Sequence, residues 1–148
     1  MRRVAVLLFL MLLSAGSMFA QSLSVKPGLW EHVMLGDDGK PEMKALNCIT
    51  PTGLADMLAS ANKHPGCKIT SQNMTSKSLT VDMACDRANV KMTSHGVLEA
   101  IDSEHMRSTT TVKMTMNGKT SETTAKSVAQ FKSSSCGDVK PGDPKILN

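Results

Sequence analysis

Apolar and polar positions alternate with a period of two over most of the chain, and the breaks fall at Asp, Asn, Gly and Pro, a pattern that predicts antiparallel strands joined by tight turns. Residues 29–35 read as a first strand and 41–49 as its return, with Asp37-Asp38-Gly39-Lys40 between them. Asp-Gly at such a place predicts a type I′ turn, whose two central residues need positive φ. Cys67, Ile69 and Ser71 alternate with polar neighbours, as do Leu79, Val81, Met83 and Cys85 beyond Thr75-Ser76-Lys77, giving a second hairpin. Residues 90–101 read as another strand, with Gly96 marking a bulge or bend and Asp102-Ser103-Glu104 the next turn. The period lengthens once. Thr50 as N-cap and Pro51 as first helical residue lead into Leu54, Met57, Leu58 and Ala61, the apolar stripe of one short helix stopped by His64-Pro65-Gly66.

Asn117-Gly118 is the clearest turn, and a type I′ turn there places Met116 opposite Lys119 and sets every pair behind it. One face then carries Met106, Val112, Met114 and Met116 with Ala125, Ala129 and Phe131, diluted by Ser108, Thr110, Ser121, Thr123 and Ser127. The other carries Arg107, Thr109, Thr111, Lys113 and Thr115 against Thr120, Glu122, Thr124 and Lys126, with Lys113 directly opposite Glu122. The first face is expected to point inward and the second to water.

These elements predict a mainly β, antiparallel domain of about seven strands and lipocalin-like size, curled into a half-open or closed barrel-like sheet, with one short helix and two disulfides. Composition changes the picture of its interior. The chain has twelve methionines, three phenylalanines, one tryptophan and no tyrosine. Methionine is therefore expected to fill much of the core. With small inward side chains beside it, the interior either collapses or encloses a cavity.

Residues 1–20 are set apart. Arg2 and Arg3 precede an apolar run over residues 4–13, and small residues lead to Ala20, the layout of a secretory signal peptide. The run is too short to span a bilayer. Ser17 stands where a lipoprotein would have its cysteine, so no lipid anchor is expected. Without Arg2 and Arg3 the 17 basic residues fall to 15 against 13 acidic ones, a net +2 with no clustered stripe, which argues against nucleic acid as a partner. A single monomeric domain is expected over residues 21–136, followed by an irregular, mobile tail over 137–148 in which Pro141 and Pro144 stand among glycines.

All four cysteines follow the signal segment, an even count delivered to an oxidising compartment. Three pairings are open. The second hairpin places Cys67 and Cys85 across from each other with the same parity, which favours that bridge and leaves Cys48 with Cys136.

Lys26-Pro27-Gly28-Leu29-Trp30-Glu31, Cys48-Ile49-Thr50-Pro51 and the Cys67, Cys85 and Cys136 framework resemble a bacterial family known only as domain of unknown function 3617. The resemblance covers nearly all of the chain after the signal segment. It implies a small β-rich protein exported to the periplasm of a Gram-negative bacterium, and it supplies no catalytic residues. Phe131-Lys132-Ser133-Ser134-Ser135 stands where relatives carry an Arg- and Gly-containing stretch, so no role tied to that stretch is carried over.

Candidate chemistry is sparse. Ser94 and His95 are strand neighbours that point to opposite faces and cannot act as nucleophile and base. His32, His64, His95 and His105 have no zinc-motif spacing. Met92, Met106, Met114 and Met116 with His95 and His105 would suit Cu(I) or Ag(I). Parity, however, puts His105 on the outer face and Met114 and Met116 inside with Val112, so core packing is the reading adopted and no metal or cofactor is assigned. Non-enzymatic binding of a small apolar or amphipathic ligand is expected, with Trp30, Met106, Val112, Met114, Met116 and Phe131 as lining residues. An envelope protein–protein interaction module is the alternative.

Overall fold

The computed structural model describes residues 22–61 and 65–147; the segment read as a signal peptide lies outside them, as does His64. In chain order the elements are β1 (Gly28–Leu35), β2 (Pro41–Ile49), the helix α1 (Gly53–Ala61), β3 (Cys67–Met74), β4 (Ser78–Arg87), β5 (Val90–Ala100), β6 (His105–Met116), β7 (Lys119–Ser133) and β8 (Lys145–Leu147). The eight strands form one antiparallel sheet in the order β3-β4-β5-β6-β7-β1-β2-β8, with β3 and β8 as its edges. It is mainly β with one short helix, as expected, and of the two closures considered it adopts the open one.

The register set by Asn117-Gly118 is the predicted one. Met116 pairs with Lys119, Lys113 with Glu122 and Met106 with Ala129, and both turn residues have positive φ, 51° and 75°. The first hairpin differs from expectation. Only Gly39 takes positive φ there, the Gly39 N–H donates to the Gly36 carbonyl and the Gly36 N–H to the Lys40 carbonyl, each at 2.9 Å. Asp37, Asp38 and Gly39 thus make a three-residue loop in which glycine alone bears the left-handed conformation, because Asp38 can stay at negative φ while its carboxylate oxygen accepts from the Lys40 N–H instead. The helix starts at Gly53, two residues after Pro51, because a turn comes first in which the Gly53 N–H donates to the Thr50 carbonyl. Gly96 is no bulge: β5 pairs continuously with β4 and β6 through it. Register shifts lie elsewhere, at both ends of β1 and in β3 between Ile69 and Ser71, where the shift turns Ser71 away from the face of Ile69.

The tail is not irregular throughout. Lys145, Ile146 and Leu147 pair with Leu46, Ala45 and Lys44 as β8, Pro141 bridges to Cys48, and Val139 is buried. Cys48–Cys136 anchors this segment to β2, which is why a stretch with two prolines still joins the sheet. The second bridge, Cys67–Cys85, joins directly paired residues whose Cα atoms are 4.0 Å apart. Both pairings are those the hairpin argument favoured.

Paired residues share a face, so the register divides the sheet into two. The core cluster of Leu23, Trp30, Met106 and Ala129, with Val25, Ile49, Leu54, Leu98, Ala100 and Phe131 against it, gathers at one end of one face. Leu54 brings α1 onto that face and the 22–27 segment covers it from the N-terminal side, so the core is a capped end of the sheet and not a filled barrel.

Candidate functional site

Trp30 is the seal of that end. Its ring is fully buried and meets Phe131 edge to face at 5.8 Å, and its indole Nε1 donates to the Lys26 carbonyl at 2.9 Å. That bond holds the 22–27 segment in place together with Ser24 N–H to the Ser76 carbonyl and Lys26 N–H to the Ser103 carbonyl, each at 2.9 Å. Lys26 also pairs with Glu104 and lies 5.4 Å from the centre of the Phe131 ring. Met106 is equally enclosed.

Beyond this capped end the same face runs on without a second layer among the described residues. Its middle rows are low. Ala125, Thr110, Gly96 and Val81 stand in one cross-strand row; in the row beside it Ser127 and Ser108, their hydroxyls 2.8 Å apart, lead to Leu98 and the buried Leu79 at the margin of the core. A Cβ built on Gly96 would meet only Thr110 Oγ1 at 3.6 Å and the Val81 carbonyl at 3.8 Å, both from its own sheet. Further rows rise again: Val112, Ser94 and Met83, then Met114, Met92 and Cys85, then Met116 and Val90. Met114 is 37% exposed and Met116 52%, against 2% for Met106. The expectation that this face points inward along its whole length is therefore corrected: it is buried near Met106 and open near Met116.

The six residues expected to line one ligand site do not come together. Trp30 and Met106 are closed inside the core with Phe131 half-buried beside them, whereas Val112, Met114 and Met116 climb toward the far end. Met106 and Met116 are ten residues apart on one extended strand, about 33 Å. Two hollows do open on the surface, about 440 Å³ at Pro65, Gly66, Asp86 and Arg87 and about 250 Å³ at Ala88, Asn89, Lys91, Thr115, Asn117 and Gly118. Both lie at turns and neither includes any of the six.

The sequence reading also missed His32, Gly96 and Met92 as members of this face. His32 sits between Ala45 on β2 and Ala129 on β7, and its Nε2 is buried with no hydrogen-bond partner. Burial lowers its pKa by disfavouring the charged imidazolium. Carrying the Asn117-Gly118 register one strand further, through the turn at Asp102-Ser103-Glu104, would have put Met92 opposite Met114 and Gly96 opposite Thr110.

The opposite face is polar. Across it His95 Nδ1 lies 2.6 Å from Asp82, Arg107 Nε donates to Glu99 at 2.6 Å, and Thr111 and Thr115 bond Thr124 and Thr120. The Arg107 hydrogen bond and charge keep the Glu99 carboxyl below its usual pKa. At the turn before β6, the Glu104 N–H, then the His105 side chain, likewise hold Asp102 low. Among the described residues no three His, Cys, Asp or Glu side chains converge as a metal site, and no helix is long and apolar enough to cross a membrane.

No curated protein and no solved structure matches the chain. Residues 25–136, the span from the segment that Trp30 pins down to the second cysteine of the long bridge, match the family model described as Protein of unknown function (DUF3617), and the chain belongs to that family.

Proposed function

We propose that the protein is a non-enzymatic binding protein of the periplasm that takes an elongated apolar or amphipathic small molecule along the uncovered half of its core face. Gly96 carries this reading. It occupies the middle of that face with neither a bulge nor a positive φ to require glycine, and among the described residues nothing from another layer approaches it. A glycine so placed in a strand keeps room for a partner at close range. Val81, Met83, Val112 and Met34 border the low rows with apolar surface, and the Ser108, Ser127 and Thr110 hydroxyls provide a polar edge. The export that would bring the protein to such ligands is supported by the signal-like first twenty residues and by the absence of any free cysteine.

The test is binding of a dansyl-labelled eleven-carbon fatty acid, read by fluorescence, to the purified oxidised chain and to Gly96→Val. Valine suits a strand and finds ordinary contact distances there, so the variant should unfold at the same temperature or higher while binding at least tenfold more weakly. Equal binding by both proteins, or none by either, sinks the proposal.

One observation favours the interaction module. β1 ends its pairing with β7 at Leu35 opposite Lys126, so the β7 backbone from Lys119 to Ala125 has a strand neighbour on the β6 side only. An added strand could dock there. Lys119 and Glu122 on that edge work against it, as charges on natural edges do. Photo-crosslinking from Thr123 in cells would recover such a partner; a lysate with no crosslinked product would remove this reading.

A further inference from the structure

We propose that Met92, Met114 and Met116 form a thioether site for a soft monovalent cation, Cu(I) or Ag(I), at the open end of the core face. Core packing accounts for Met106, which is enclosed, and it fails for Met114 and Met116, which are 37% and 52% exposed. Met114 and Met116 are thus left without a packing role on an uncovered strand surface, and half-buried Met92 adjoins them with a third unbranched, sulfur-bearing side chain. The register brings them together. Met92 on β5 stands directly opposite Met114 on β6, and Met116 follows two residues later on the same face. Directly opposed Cβ atoms lie about 4.5–5.5 Å apart and same-face neighbours on one strand about 6.6–7 Å. Each methionine has three rotatable bonds beyond the backbone, so the three sulfurs can swing onto one ion. Met83 lies diagonally behind Met92, across Ser94, and is the nearest further thioether.

The surroundings select the kind of ion. Neutral thioethers favour Cu(I) or Ag(I) over Zn(II), Ca(II) or Mg(II). No carboxylate shares the face at this level: Asp86 pairs with Lys91 on the other face, and both cysteines nearby are oxidised to each other. Lys119, opposite Met116, and Arg87, opposite Val90, border the cluster with positive charge. At about 8 Å in water each would weaken a monovalent cation by about two- to threefold, a modest penalty for a soft-ligand site and a useful signature of its position. His95 and His105 take no part, being bonded to Asp82 on the outer face and to Asp102 at the turn.

This site is separate from the low rows around Gly96, and the two readings fail independently: Gly96→Val should leave cation binding unchanged. The test is titration of the oxidised chain, labelled with ¹³C at the methionine methyls, with Ag(I) in chloride-free buffer. One ion per chain is expected, with shifts at the methyls of Met92, Met114 and Met116 and none at Met106. The triple change of Met92, Met114 and Met116 to Leu should weaken binding at least 100-fold without lowering the unfolding temperature, since leucine keeps the apolar volume. Each single change should cost about tenfold, which covers the case in which the triple variant folds poorly. Lys119→Ala should tighten binding about two- to threefold. Met34 and Met43 form an exposed, directly opposed methionine pair and serve as control: changing both to Leu should leave affinity within twofold. No binding at micromolar Ag(I), undiminished binding by the triple variant, or shifts confined to Met34 and Met43 would overturn the proposal.

Discussion

Removing each disulfide in turn separates loop closure from local pairing as the source of stability. The double change Cys48→Ser with Cys136→Ser opens a closed loop of 88 residues, and Cys67→Ser with Cys85→Ser one of 18. In the chain-entropy relation the first is worth about 4.6 kcal/mol at 25 °C and the second about 3.2. The structure adds to the contrast. Cys67 and Cys85 end a hairpin whose remaining pairs, Lys68 with Ala84 through Met74 with Leu79, persist without the bridge. Cys48 and Cys136 hold a tail whose other attachments are three β8 pairs, the Pro141 bridge and Val139. A domain of this size has about 5–15 kcal/mol to lose, so the long-bridge variant should give up between about a third and nearly all of its stability. Urea unfolding followed by the fluorescence of Trp30, the only tryptophan, measures both variants directly. A short-bridge variant as destabilised as the long-bridge one, or more so, would refute the loop-length reasoning.

Trp30→Phe should cost about 1–3 kcal/mol in the same assay, since it takes the donor from the Lys26 carbonyl and loosens the 22–27 segment. Proteolysis within residues 22–27 should accelerate in parallel. His32 supplies a pH dependence with a definite sign: burial depresses its folded-state pKa below 6.5, so the unfolded chain holds more protons just below that pH and stability falls as pH is lowered. In urea unfolding at pH 7.0 and 5.5, His32→Leu should show the smaller loss, and an identical loss in both proteins would contradict the burial argument. Ala88 adopts φ 43° between β4 and β5, a left-handed conformation that costs an L residue about 1–2 kcal/mol, of which glycine's greater unfolded-state freedom takes back about half. Ala88→Gly should therefore raise stability by about 0.5–1 kcal/mol, measured as a shift in the urea midpoint.

Strand pairing near the turns was legible because it follows from local chemistry. Asn117-Gly118 accepts positive φ at both positions, and a period of two then assigns a face to every residue from Met106 to Phe131. Cysteine parity within one hairpin pointed to Cys67–Cys85 in the same way. What alternation cannot tell is which stretch of a face receives a covering layer. Met106 and Met116 have the same parity on one strand, yet one is sealed beneath Trp30, Leu23 and the approach of α1 while the other meets water. That difference comes from segments distant in sequence, the 22–27 strap, the helix and the 137–147 tail, whose placement depends on hydrogen bonds and a disulfide spanning 88 residues. By itself the sequence determined the strands up to β7, the presence of one helix, the register of the β6–β7 hairpin and the Cys67–Cys85 pairing, all properties of neighbours in the chain. Only the tertiary structure decided that the sheet stays open, that Met92 stands opposite Met114, and that the apolar face is buried near Met106 and exposed near Met116, because burial is set by what folds back over a surface and no local pattern encodes it.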